Sequence, residues 1–219
     1  MLEIALQGDK LEKVCETRFL GCILDDKLEA SRHIEEMSKK LNRAIFVLKN
    51  LCRATGYRMA KPLYEAYIHS HFNYCSGFWG MAAKSKLNRL YRTQKRALKV
   101  ISPAGCRDLP PEGTNILPLP RALTYSICTF LHQQISKQST ECLSLELLGS
   151  RKDTRSKNSR IIRIERRSTL IGNRSYLVKA AKVWNSLPLE IRTTDSIPLF
   201  KIRLKKLLLE SPDERLNFF

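Results

Sequence analysis

From Ser31 to Cys52, apolar residues fall at Ile34, Met37, Leu41, Ala44, Leu48 and Leu51. The steps alternate between three and four, which sets one apolar stripe along an α-helix. A strand would need a period of two, so a strand is excluded over this length. Ser31 is placed to cap the helix, and Glu35 and Glu36 suit its positive N-terminal end. Gly56 lets the chain turn afterwards. A coiled coil is the competing arrangement, on three heptads without strong pairing charges beside the stripe.

More helices come after it. Ala60 to Phe72 places Leu63, Tyr64, Tyr67 and Ile68 on one side, with Pro62 near its start. Lys84 to Ile101 buries a stripe of Leu87, Leu90, Tyr91, Gln94, Ala97, Leu98 and Ile101, and Pro103 and Gly105 end it. Pro110 to Pro120 is too rich in proline for a helix and reads as a connector. A helix from about Arg121 to Ile135 comes next, then Tyr176 to Leu187, ended by Pro188, and Ser196 to Leu209, with Pro198 in its first turn. Before all of these, Leu2, Ile4 and Leu6 alternate with Glu3 and Ala5, Gly8-Asp9 signals a turn, and Val14 to Leu24 gives a second β-like run. The two runs suggest a hairpin, which alone is marginal and must lean on the helices or on another sheet.

Charge narrows the partners. Lys and Arg number 39 against 21 acidic residues, a net charge of +18, which favours a polyanion, nucleic acid before an anionic membrane surface. From Arg32 to Arg107 sixteen basic residues face three acidic ones. The helix from Lys84 to Lys99 carries Lys84, Lys86, Arg89, Arg92, Lys95, Arg96 and Lys99 and no acid. A solvated helix face usually mixes signs. An unmixed cationic face suits tracking of phosphates without sequence readout. Arg151 to Arg174 is a second basic stretch, nine basic residues to two acidic. Its first ten residues contain nothing apolar, which reads as a mobile linker, and its charge is open to a nuclear-targeting role or to none.

Other chemistry is poorly supported. No apolar run reaches the roughly 18 residues of a membrane span, and the N-terminus lacks a secretory pattern. An intracellular protein, nuclear or cytoplasmic, is expected. The seven cysteines are odd in number and form no C-x-x-C pair, against a disulfide framework or a zinc ribbon. Cys52, Cys75 and Cys128 sit among apolar neighbours as small core residues. His69-x-His71-x-x-x-Cys75 has poor zinc spacing, because on a helix His69 points away from the other two. Ser70 beside two histidines lacks a strained nucleophile turn, and no phosphate-binding glycine loop occurs. Trp79 and Trp184 lie in apolar helical surroundings and read as core anchors rather than base-stacking platforms.

An ordered series of short motifs runs through these elements. It comprises Phe19-Leu20-Gly21 with Asp25, His33-Ile34 with Lys40-Leu41, S-H-F-N-Y-C-S-G-F-W-G at Ser70 to Gly80, and Gln94 to Leu98. Leu117 to Arg121, K-V-W-N-S-L-P at Lys182 to Pro188, and Phe200-Lys201 complete it. The series resembles the region downstream of the palm in reverse transcriptases of non-LTR retrotransposons, LINE-type and jockey-like, from about Thr17 to Leu208. The resemblance implies the thumb and the region after it, not the polymerase core. Catalysis in that family uses palm carboxylates that hold two divalent metals, two of them in an Ala-Asp-Asp hairpin. This sequence has no Ala-Asp-Asp, and its acidic doublet, Asp25-Asp26, comes after the F-L-G segment where the family's dyad precedes it. Asp25-Asp26 reads as a strand end leading into a helix.

The expected fold is mainly α. A β element at 1–28 precedes a helical thumb-like domain at 29–137, a basic linker at 138–173 and a C-terminal helical unit at 174–219. The expected function is non-catalytic, sequence-tolerant binding of RNA or an RNA–DNA duplex through Lys84, Lys86, Arg89, Arg92, Lys95, Arg96 and Lys99. No cofactor, catalytic residue or metal ligand is expected; divalent metal belongs to intact family members. A palm-containing polymerase segment is a further expected partner. The alternative is a protein-interaction or structural relic whose basic surface is idle.

Overall fold

A computed structural model describes residues 5–6, 9–10, 12–102, 114–137, 160–164, 168–169, 172, 175–211 and 213–219. Leu20 and Gly21 reverse the chain between β3 (Glu16–Phe19) and β4 (Cys22–Asp25), with φ of 45° and 80°. Positive φ at both central residues gives a tight turn whose twist matches that of the strands, and glycine adopts it without steric cost. The pairing is antiparallel, Glu16 opposite Asp25 and Phe19 opposite Cys22. A smaller pair, β1 (Ala5–Leu6) with β2 (Asp9–Lys10), precedes it. Among the described residues the two β-like runs do not pair with each other: Ala5–Leu6 pairs with Asp9–Lys10, and the second run folds back on itself. Gly21 lies inside the second run, so the turn forms there before any longer loop need close.

The β3–β4 hairpin leans on helices at several points. The Ile23 N–H donates to Nδ1 of His33, 3.4 Å away, on α1 (Ser31–Thr55). The Tyr74 hydroxyl donates to the Leu20 carbonyl, and Cys22 is disulfide-bonded to Cys75. Cys75 is thus not the free core cysteine that its apolar neighbours suggested; Cys52 and Cys128 are free and buried. Asp25 ends β4 by accepting the Glu29 N–H at 2.8 Å, which shapes the lead into α1. Ser31 is the first residue of α1 rather than its cap. Ala30, at φ 54°, holds the capping position without a side-chain hydrogen bond.

Behind α1, the chain makes a short 3₁₀ turn (Tyr57–Met59), α2 (Ala60–Tyr64), a π turn (Glu65–His69) and α3 (Ser70–Asn73) without a break. Ala60, Tyr64, Ile68 and Phe72 are buried along this run. Steps of strictly four overshoot an α turn by about 40° each, and the wider π turn keeps such a row on one face. Tyr67, expected on that face, is 41% exposed as a result. After α4 (Ser76–Trp79), α5 (Lys84–Ile101) lies along α1, and its buried stripe includes Leu87, Leu90, Gln94, Ala97, Leu98 and Ile101.

The last layer is built on α6 (Leu119–Lys137). Against it pack α7 (Tyr176–Ser186) and α9 (Ile197–Glu210), with α8 (Leu189–Arg192) and a 3₁₀ turn (Glu214–Leu216) alongside. Arg121 donates to the Leu208 carbonyl at 2.6 Å, near the C-terminal end of α9, where carbonyls lack intrahelical partners. Thr124 Oγ1 donates to the Leu216 carbonyl, and the Phe218 N–H donates to the Pro120 carbonyl. Trp184 is fully buried against Phe200 and His132, whose rings stack at 4.1 Å, and its indole N–H donates to the Arg160 carbonyl. Most of the buried apolar residues form one continuous core from Ala30 to Phe218. No helix among the described residues is long and apolar enough to cross a membrane. The proline-rich connector before 114 and the basic stretch from 151 to 159 lie outside the described residues.

Two expectations arise from this packing. Trp184→Ala removes a buried indole and leaves a cavity, so unfolding free energy should fall by about 3–5 kcal/mol; an unchanged denaturation midpoint would place the ring in solvent. The second is a pH dependence. Burial, with Lys40 adding to it against Glu36, holds the His33 imidazole below its usual value of 6.5. His69 and His71 are lowered for the same principal reason. A depressed base is neutral in the fold but protonates when unfolded, so its contribution is complete above about pH 6.5 and is lost as pH falls through the folded value. The thermal midpoint should drop between about pH 7.5 and about pH 5. The His33 ring should titrate below 6.5 by NMR, as an Nδ1 that accepts from Ile23 requires; a midpoint above 6.5 would contradict this.

Candidate nucleic-acid interface

α5 is strongly two-faced. Its apolar stripe fixes how the helix sits, so the placement of its cations is set by about 100° per residue. Arg89, Arg92, Arg96 and Lys99 fall within about 80° of arc opposite the stripe, and all four are exposed. Lys95 extends this face on the side away from α1, with Nζ 4.5 Å from the centre of the Tyr91 ring. Lys84 is exposed further round, at the first turn. Lys86 does not join them. It is half-buried on the shoulder toward α1, where Nζ bonds to the Ser31 hydroxyl and lies 3.4 Å from Glu29 Oε2. Among the described residues, none of the other six cations is paired with a carboxylate.

α1 supplies a second wall. Contacts between the helices climb both in the same direction: Ser31 with Lys86, then Asn42 with Arg96, whose Nη1 donates to Asn42 Oδ1 at 3.2 Å. Near their C-terminal ends, Lys49 and Arg53 of α1 meet Lys99 and Val100 of α5 around a cleft of about 450 Å³. The helices therefore run side by side and parallel, and the solvent side of their junction is a cationic groove. The sequence pointed to α5 alone. Lys49 and Arg53 carried a signal only in their membership of the polar side of α1, which by itself reads as an ordinary solvated face.

The remaining candidates fall elsewhere. His69 lies on the π turn beside Tyr64, with ring centres 6.3 Å apart, whereas Cys75 is bonded to Cys22. His69, His71 and Cys75 therefore do not converge, and no group of three or more His, Cys, Asp or Glu side chains able to hold a metal occurs among the described residues. Asp25 and Asp26 are used in the turn after β4, where the Asp26 N–H donates to the Cys15 carbonyl. Burial raises the phenol of Tyr64 to about 12, so it is neutral at physiological pH.

No protein-family model matches this sequence, and no solved structure matches it. Among curated proteins the chain is similar to the probable RNA-directed DNA polymerase from transposon BS of Drosophila melanogaster, 26% identical over 102 residues. The match covers 45% of this chain and 11% of that protein. This similarity supports a distant relation to the reverse transcriptases of transposons.

Proposed function

We propose that this chain is a thumb-like segment of non-LTR retrotransposon origin that binds nucleic acid through the exposed face of α5 and does not itself transfer nucleotides. The observation that carries the reading is electrostatic: Lys84, Arg89, Arg92, Lys95, Arg96 and Lys99 are exposed on one rigid helix that contains no acid. Holding like charges side by side is unfavourable to the compact state, and a phosphate backbone relieves that repulsion. Contacts of this kind position a strand without reading bases, so RNA and an RNA–DNA duplex both fit. The distant relation to an RNA-directed DNA polymerase agrees with such a partner.

Replacing Arg89, Arg92 and Arg96 together by Gln should weaken binding to every sequence alike. It should flatten the slope of log affinity against log salt by about two to three units, close to one for each phosphate no longer neutralised. Gln keeps helix propensity, so unfolding should not imitate weakened binding. An unchanged slope in a folded triple variant would exclude α5 as the binding face and favour an idle surface.

The purified chain should not extend a primer on an RNA template with magnesium or manganese, since the Asp25 carboxylate accepts the Glu29 N–H and no third carboxylate converges on Asp25-Asp26 among the described residues. Incorporation that disappears in an Asp25→Asn/Asp26→Asn double variant would sink this part of the reading.

A further inference from the structure

Phe46 is the feature of the α1–α5 groove that phosphate tracking leaves without a role. It is 66% exposed, on α1, one helical turn beyond Asn42, one turn before Lys49 and two before Arg53. Asn42 is bonded to Arg96 of α5, and Lys49 and Arg53 share a cleft with Lys99. Phe46 therefore stands on α1 between two places where the helices meet, about 6 Å from the first by helical rise. Single exposed apolar side chains are ordinary. This one differs in its setting, with cations on both helices and a cleft beside it that three of them line.

We infer that the groove binds a single-stranded nucleic acid, with Phe46 as a platform for an unpaired base and the Lys49–Arg53–Lys99 cleft as the seat of a neighbouring phosphate. The inference rests on the reading of α5 as a phosphate-tracking face and adds the form of the partner. In a duplex the base faces are already stacked, so a ring in a groove has nothing to cover; in a single strand each base offers a free face. Stacking on an aromatic ring tolerates any base, in keeping with cations that read none. The carboxyl end of α1 also points toward the cleft and brings roughly half a negative charge. Three full positive charges outweigh it, so the cleft still favours an anion.

The test uses fluorescence anisotropy of the full chain with a labelled oligouridine of about twelve nucleotides, within the span that single-strand grooves cover, and with an RNA duplex of equal length. Phe46→Ala should weaken single-strand binding by roughly 5- to 150-fold, as expected for loss of one stacked base, with duplex binding and the salt slope unchanged. Phe46→Trp should restore it. Lys49→Gln/Arg53→Gln/Lys99→Gln should instead flatten the single-strand salt slope by about two units, at about 0.7 per phosphate. Because Phe46 is exposed, its variants should keep the wild-type melting midpoint, which separates weakened binding from unfolding. If Phe46→Ala binds the oligouridine as the wild type does, with a steep salt slope intact, the stacking inference is overturned while the phosphate-tracking reading survives. If the unaltered chain binds neither probe, both fall.

Discussion

The side chain of Gln94 fixes how the helical layers meet. It is completely buried in the middle of the α5 stripe. Its Nε2 donates to the Tyr64 hydroxyl and to the Leu117 carbonyl, each at 3.0 Å, and its Oε1 accepts the Leu119 N–H at 2.6 Å. Leu119 opens α6, where backbone N–H groups have no partner within the helix. One amide thus holds α2, α5 and the start of α6 at a single mutual register. Apolar packing alone is less particular, since leucines tolerate sliding where a buried amide does not. Everything after α6 inherits this placement, because α7 and α9 are built on it. The cationic face inherits it too: with Gln94 pointing inward, Arg92 and Arg96 must point out.

The parts of this fold legible in the sequence are those where one short-range rule dominates. α1 and α5 are long, strictly periodic and amphipathic, and their limits come within a few residues of expectation. Trp79 and Trp184 are buried as their apolar neighbours implied. Two of the failures involve a partner distant along the chain. The cysteine count argued against disulfides, but Cys22 meets Cys75 only because the hairpin docks on the turn after α3. Gln94 could be placed on the buried stripe, but its bonds depend on residues near 64 and 118. The π turn was hidden because four-residue steps fit a slightly curved α-helix almost as well. For the candidate interface, the run of cations in α5 was plain to read. That α1 lies parallel and contributes Phe46, Lys49 and Arg53 was not, because alternation of polar residues on a helix carries no information about which neighbour they face.

The two sides of α5 answer to different energies. The inner side is held by burial of leucines and by the Gln94 bonds, terms that salt barely changes. The outer side carries unpaired charge whose mutual repulsion weakens with ionic strength over a Debye length of about 8–10 Å. Low salt therefore loads the core with repulsion that the core must withstand, and a polyanion bound on that face would remove the load. Binding of that kind would be linked to stability, without any change of shape being required.

The attachment of Leu208, Leu216 and Phe218 to α6 has a consequence for how the molecule is made. Much of the cover on the apolar side of α6 comes from residues 176–218, beside that from α4 and α5, and the bonds of Arg121, Thr124 and Pro120 reach partners about ninety positions later. While the chain emerges from the ribosome, α1, α5 and the hairpin can assemble from neighbours already made. α6 can meet α4 and α5 at once, but the side that α7 and α9 cover waits until those helices arrive, on the order of ten seconds at about 5–20 residues per second. A helix in that state attracts other nascent chains and the chaperones that mask them. The interval sets a demand on the synthesising cell that is invisible in the finished structure.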